Sequence, residues 1–177
     1  SPISKGSESG MDLYIADSGD VVFKEAVEFT DNTRFEIQYE TSQVRFEKEV
    51  TVDGWLSNGG GKGGTIVFES DFTGKSGGLS FSLSRLHFYG KANSFHNLYV
   101  QTHVSFHAKN SISKISLLQF DKKEGVLDLC GADQTMTGGT ILFTSNDISG
   151  YEIRSSAPAQ LVLNKAVFIY GVFRGRF

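Results

Sequence analysis

Apolar residues along this chain come in short alternating pairs separated by polar spacers. Val44 to Val52 reads VRFEKEVTV: the pair Val44/Phe46, the charged spacer Glu47-Lys48-Glu49, then Val50/Val52. Alternation with period two puts each pair on one face of an extended chain. The spacer is too short for a helix and too charged for a core. Val21 to Phe29 (VVFKEAVEF) and Leu161 to Ile169 (LVLNKAVFI) have the same form. Weaker copies start with Ile66/Phe68, Leu86/Phe88, Val104/Phe106 and Ile141/Phe143. The starts at residues 21, 44, 66, 86, 104, 141 and 161 are about 20 residues apart, except for one gap of nearly two steps. A further copy is expected in that gap, from Leu118/Phe120 or from Val126, Leu127 and Leu129. A period this short is too small for the common helical repeats and predicts stacked coils of strand.

Between the pairs, Met11 to Ile15 and Thr33 to Tyr39 alternate as strands, and Leu98 to Phe106 is the longest alternating run. Asp53-Gly54 and Thr73 to Gly78 predict turns. Trp55 to Gly64 (WLSNGGGKGG) has too much glycine for regular structure and predicts a surface loop or wide turn between coils. It is not a phosphate-cradling loop, because Lys62 is followed by Gly63 and a strand instead of Ser/Thr and a helix. The closest literal repeat is GGTIVF (Gly63 to Phe68) against GGTILF (Gly138 to Phe143). Pro158 falls between strands, and the last strands are Leu161 to Leu163 and Ala166 to Phe173. The polar start, residues 1–10, predicts a disordered leader or cloning remnant, and residues 11–177 a single domain.

Composition supports this reading. The chain of 177 residues has 15 Phe and 20 Gly but only 2 Pro, a mixture that favours pleated surface and tight corners over helix. The predicted fold is all-β, a right-handed parallel β-helix of about eight coils at the usual ~4.8 Å strand spacing, with Phe over Phe inside. The alternative is an antiparallel β-sandwich or jelly roll, which also has short strands at close intervals. Repetition of one phrase favours the β-helix.

Two short motifs resemble a known family. Gly63-Gly64-Thr65-Ile66 and Gly138-Gly139-Thr140-Ile141 are similar to the GGA(I/L/V) repeat of chlamydial polymorphic membrane proteins, with Thr in place of Ala. Phe29-Thr30-Asp31-Asn32 and Phe143-Thr144-Ser145-Asn146 resemble the FxxN repeat of the same proteins. The Phe-rich, Gly-rich, Cys-poor style resembles autotransporter passenger domains more widely, including vacuolating-cytotoxin-like ones. The resemblance implies a virulence-associated adhesin or toxin scaffold, secreted or displayed on the outer membrane of a Gram-negative bacterium. It also implies that this segment is a fragment of a longer protein. Its partners would be a host-cell surface protein or glycan, with self-association a further option.

Charge and chemistry narrow this further. The net charge of −3, with acids and bases interspersed, offers no basic stripe for nucleic acid and no polybasic membrane patch. No apolar run approaches the length of a membrane-spanning helix, and the start is no signal peptide. The single cysteine, Cys130, excludes an internal disulfide and reads as a small buried hydrophobe without a local histidine partner. His103 and His107 are four apart, about 13 Å on a strand, too far to share one metal unless a turn intervenes. His87 and His96 complete the histidines, and all four read as exposed or ladder residues. Asp71, Asp121, Asp128, Asp133 and Asp147 lie at turns and read as caps, not as the carboxylate pair of a glycosidase. No G-x-S-x-G motif occurs. Neither a catalytic residue, a metal ligand nor a cofactor is therefore expected. The candidate contact residues are Trp55, Ser57, Asn58 and Lys62 around the glycine-rich stretch, and the aromatics Tyr89, Phe95 and Tyr99. The competing readings are a glycan-active β-helix enzyme or phage tailspike fragment, and a β-sandwich binding module.

Overall fold

The computed structural model describes residues 2–3, 10–16, 18–121, 124–144 and 150–170. Every sheet pairing among them is parallel, and there is no helix. The chain winds as a β-solenoid of seven turns, each turn contributing strands to successive faces of one rod.

The first face is a seven-stranded sheet: Asp20–Phe23, Gln43–Phe46, Thr65–Phe68, Arg85–Phe88, His103–Phe106, Val126–Asp128 and Glu152–Arg154. The V-x-F pairs of the sequence stand in register here. Val21, Val44, Ile66, Leu86, Val104, Leu127 and Ile153 form one ladder, and Phe23, Phe46, Phe68, Phe88 and Phe106 the next. The phenylalanine rings stack nearly parallel, with centroids 4.7, 5.3, 4.8 and 5.2 Å apart down the ladder. Offset stacks at this spacing are worth about 0.5–1.5 kcal/mol each beyond the apolar area they bury.

The second and third faces form one ten-stranded sheet. In the first turns they are separate strands, Val27–Phe29 on the second face and Met11–Ile15 and Thr33–Ile37 on the third. In the middle of the rod they fuse into long strands, Val50–Gly61, Phe72–Ser80, Asn93–Val100 and Ile112–Phe120, each shifted in register part way along. The third face carries its own ladder, Leu56, Leu79, Leu98, Leu118 and Ile141, all buried. Toward the end the faces separate again: among the described residues Gln134–Thr137 pairs only with Leu161–Asn164, and Thr140–Phe143 pairs with Ile112–Phe120 and Val167–Tyr170. All buried side-chain polar atoms among the described residues have a hydrogen-bond partner.

Three expectations are corrected. About seven turns stand close to the expected eight, but the pairs at 141 and 161 do not belong to the first face, whose seventh strand is Glu152–Arg154. Thr140–Phe143 continues the third-face ladder, and Leu161–Asn164 lies on the Gln134–Thr137 strand. The GGTIVF and GGTILF phrases therefore occupy different faces. Second, Asp53-Gly54 and the 73–78 stretch are not turns. They are bulges inside continuous strands, where Val52↔Gly74 gives way to Asp53↔Ser76 and leaves Lys75 unmatched. A bulge bends a strand without ending it, so the rod rounds its edge this way. Third, the glycine-rich run is strand as far as Gly61. Thr33–Ile37 supplies its hydrogen-bonding partner, and a Cβ at Gly59 would come within 3.2 Å of Arg34 Cβ. Close approach, and not a loop, explains these glycines. The final-turn strand of the first face, Glu152–Arg154, and the strand Gln134–Thr137 are not expected from the sequence, each having one apolar residue, Ile153 and Met136, and no alternating pair.

The expected leader at residues 1–10 falls mostly outside the described residues, though Pro2–Ile3 pairs with Glu28 and Phe29. Asp147, the second FxxN motif beyond Thr144 and the last strand beyond Tyr170 also lie outside them.

Candidate functional site

The corners joining the third face to the first stack into a wall, and they enclose a cavity of about 460 Å³ lined by Glu40, Thr41, Lys62, Gly64, Thr65, Leu83 and Arg85. The lower corner follows strand Thr33–Ile37, the middle one follows Val50–Gly61, and the upper one follows Phe72–Ser80. Glycine makes the middle corner. Gly61 and Gly63 have φ of +80° and +83°, and the N–H groups of Lys62 and Gly63 both donate to the Ile37 carbonyl, at 2.9 and 3.2 Å. At Gly64 a Cβ would come 2.6 Å from the Ser42 carbonyl oxygen, so only glycine lets this corner settle on the one below.

Asn58 shapes the upper wall. Its Oδ1 accepts from Leu83 N–H (2.9 Å) and Ser84 N–H (3.3 Å), and its Nδ2 donates to Ser84 Oγ (2.9 Å). Leu83 is thereby held with its side chain 45% exposed. Arg85 and Thr65 are register neighbours on the first face. Lys62, Arg85 and Glu40 are exposed, and none of them forms an ion pair with another described residue.

Of the candidate contact residues, Lys62 lines this cavity and Asn58 positions one side of it. Ser57 is half-buried on the third face, in register with Ser80. Trp55 and Tyr99 form a half-exposed pair two turns apart, ring centroids 5.2 Å from each other, reaching across Gly78 of the turn between them. Tyr89, 47% exposed, stacks on His107 at 4.0 Å. Phe95 is a correction. It is 2% exposed and packs in the interior against Phe72, Phe88 and Phe106, because its strand position points inward beside Asn93 and away from His96. It contacts no ligand from there.

A second polar assembly lies on the outer side of the first face, and reading the sequence locally missed it. His87 Nδ1 lies 2.9 Å from His107 Nε2, so the two neutral rings share one N–H. His103 Nε2 lies 3.3 Å from Asp128 Oδ2, which also accepts from Arg154 Nε at 3.2 Å. Asp128 Oδ1 accepts the Cys130 N–H at 2.9 Å. Cys130 Sγ is 3.9 Å from His107 Nε2, so the cysteine does have a histidine neighbour. Cys130 takes φ +49°, a left-handed conformation that non-glycine residues rarely adopt. Burial pushes His87 down to about 4, helped by the neighbouring His107 and His103. Burial also lowers His107. Burial works against ionised Asp128, but the N–H groups of Cys130, Arg154 and His103 outweigh it and hold the carboxyl below its ordinary range. Burial and then the Asp128 charge push the Cys130 thiol up. A thiol held protonated is a poor nucleophile. Among the described residues, no three or more His, Cys, Asp or Glu side chains are arranged to hold a metal ion. The assembly is a chain of pairwise hydrogen bonds across four turns. One signal could have revealed it: its members lie one coil length apart, at 87, 107 and 130.

Three other candidate acids accept structural hydrogen bonds. Asp71 accepts the N–H groups of Lys91 (2.7 Å) and Ala92 (2.9 Å), Asp133 that of Gln160 (2.9 Å), and Asp121 the side chains of Gln101 (2.8 Å) and Thr144 (3.0 Å). No helix among the described residues is long and apolar enough to cross a membrane. No family model matches the chain, and no curated protein or solved structure matches it either.

Proposed function

We propose that the chain is a non-catalytic segment of a secreted or surface-displayed rod, an adhesin or toxin scaffold of the autotransporter-passenger kind that meets its partner through its outer wall. The observation that carries this reading is the division of labour among polar groups. The interior is a filled apolar ladder, and the acids Asp71, Asp121 and Asp133 accept structural hydrogen bonds. Lys62, Arg85 and Glu40, none of them in an ion pair with another described residue, line one cavity at the outer corner. Trp55, Tyr99 and Tyr89 add outward aromatic surface, which suits contact with protein or sugar.

The test incubates the protein with acidic polysaccharides and follows ultraviolet absorbance and reducing ends, alongside binding of the labelled protein to host cells. The reading expects saturable binding and no product. Product released at a useful rate overturns it in favour of a glycan-active enzyme.

A further inference from the structure

We propose that the corner cavity binds one acidic saccharide unit, its anionic group held between Lys62 and Arg85 and its hydroxyls by Glu40, Thr41 and Thr65. This rests on the reading of the rod as a non-catalytic display scaffold and names the ligand class of its corner.

The chain as a whole carries a net charge of −3, so two cations meeting at one cavity do not reflect general basicity. Both line the same space of about 460 Å³, within the ~300–1,000 Å³ of small-ligand sites; neither is ion-paired with a carboxylate of the described residues, and Glu40 is the one carboxylate in the lining. Two cations against one carboxylate leave the lining net positive, which favours an anion, and Arg85 can meet a carboxylate or sulfate through two parallel N–H groups. A bare inorganic anion would leave the rest of the lining unused. Glu40 is an acceptor for donor hydroxyls, and the two threonine hydroxyls can donate or accept. Leu83 supplies an exposed aliphatic wall, and Tyr39, 46% exposed, directly precedes Glu40. An anionic group, several hydroxyls and an apolar ring face together describe a uronate or a sulfated sugar. A peptide fits less well. The bordering strand Thr65–Phe68 is paired on both sides, by Gln43–Phe46 and by Arg85–Phe88, and offers no free edge for an added strand.

The experiment titrates the whole chain calorimetrically with a galacturonate tetrasaccharide, a heparin-derived tetrasaccharide and neutral maltotetraose. Lys62→Gln and Arg85→Gln are compared with Lys114→Gln, an exposed lysine that does not line the cavity. The first two side chains are also exposed, so circular dichroism should show all three variants folded. At least one acidic tetrasaccharide is expected to bind and the neutral one not to. Lys62→Gln and Arg85→Gln should each weaken binding roughly tenfold, about the loss of one charge-assisted contact, while Lys114→Gln leaves it unchanged. Lys62→Arg should restore most of the binding. Preference between the two acidic probes separates a carboxylate from a sulfate ligand. Absence of acidic binding, equal binding of maltotetraose, or acidic binding indifferent to both substitutions overturns the cavity assignment. The last outcome leaves the display reading standing, whereas sugar cleavage during the titration removes the display reading itself.

Discussion

His87 and His107 stand one coil apart on the outer wall, Nδ1 to Nε2 at 2.9 Å, with Tyr89 stacked on the far ring. This contact is possible only while at least one ring is neutral. The groups acting on it are His103, Arg85 and Asp128, with Cys130 Sγ 3.9 Å from His107; His103 and Arg85 disfavour a second positive charge, and Asp128 opposes them.

A pH dependence follows. His87 falls from its ordinary 6.5 to about 4 in the folded chain. Between those values the unfolded chain binds the proton that the folded chain refuses, so stability drops as pH falls. The contribution is fully present above the ordinary value and lost as pH falls through the folded one. His107 shifts in the same direction. Because His87 is only half-buried, solvent screening reduces the effect to about 1–2 kcal/mol. Urea midpoints at about pH 7.5 and pH 5 should differ more for the native chain than for His87→Gln. Equal differences would show that this pair does not sense protons.

Position along the phenylalanine ladder should set the cost of truncation. Phe68 is 1% exposed, with rings at 5.3 and 4.8 Å on either side. Phe68→Ala should cost about 3–5 kcal/mol. Phe23 stands at the end of the same ladder with one stacked neighbour, 4.7 Å away, and is only part-buried. Phe23→Ala should cost about 1–2 kcal/mol. Denaturant unfolding of both variants checks the gradient, and equal costs would contradict a continuous internal ladder.

Buried amides close corners that the backbone ladder leaves open. Asn93 is fully buried, accepts the Phe72 N–H at 3.1 Å and donates to the Gly90 carbonyl at 3.0 Å. Asn93→Leu keeps the volume but strands both backbone groups and should cost about 2–4 kcal/mol. Asn32 caps the Trp55 N–H (3.0 Å) in an exposed setting, where water can replace it. Asn32→Ala should cost under about 1 kcal/mol. Thermal unfolding of the two variants decides; a larger loss at Asn32 would refute the role given to burial.

The first-face ladder was legible because V-x-F pairs repeat at one coil length, and the gap near residues 118–129 correctly held the strand Val126–Asp128. Phase was not legible. An alternating pair shows that a strand has an inner side, but not which face of the rod it joins, so Ile141/Phe143 was credited to the wrong ladder. Gln134–Thr137 and Glu152–Arg154 escaped notice because their neighbours, not their own apolar residues, make them strands. Glycine misled in the opposite direction: Gly59 marks close packing on Arg34 and Gly61 on the Ile37 backbone, not a loop. Lys62 and Asn58 came from that same stretch: Lys62 lines the corner cavity, and Asn58 holds the Leu83–Ser84 corner beside it. Arg85 and Glu40 could be added only once the coils were stacked, since the cavity is assembled from three consecutive turns.

The central claim is that residues one coil apart lie side by side in parallel register. Ser57 and Ser80 are in register on the third face and both half-exposed. The direct measurement is oxidation of Ser57→Cys/Ser80→Cys in a Cys130→Ser background, read by non-reducing electrophoresis and mass spectrometry. Adjacent strands lie about 4.8 Å apart, within disulfide reach, so an intramolecular bond should form readily in the folded monomer and not in the urea-unfolded chain. Two free thiols persisting in the folded protein, or cross-linking only between molecules, would contradict the stacked parallel coil.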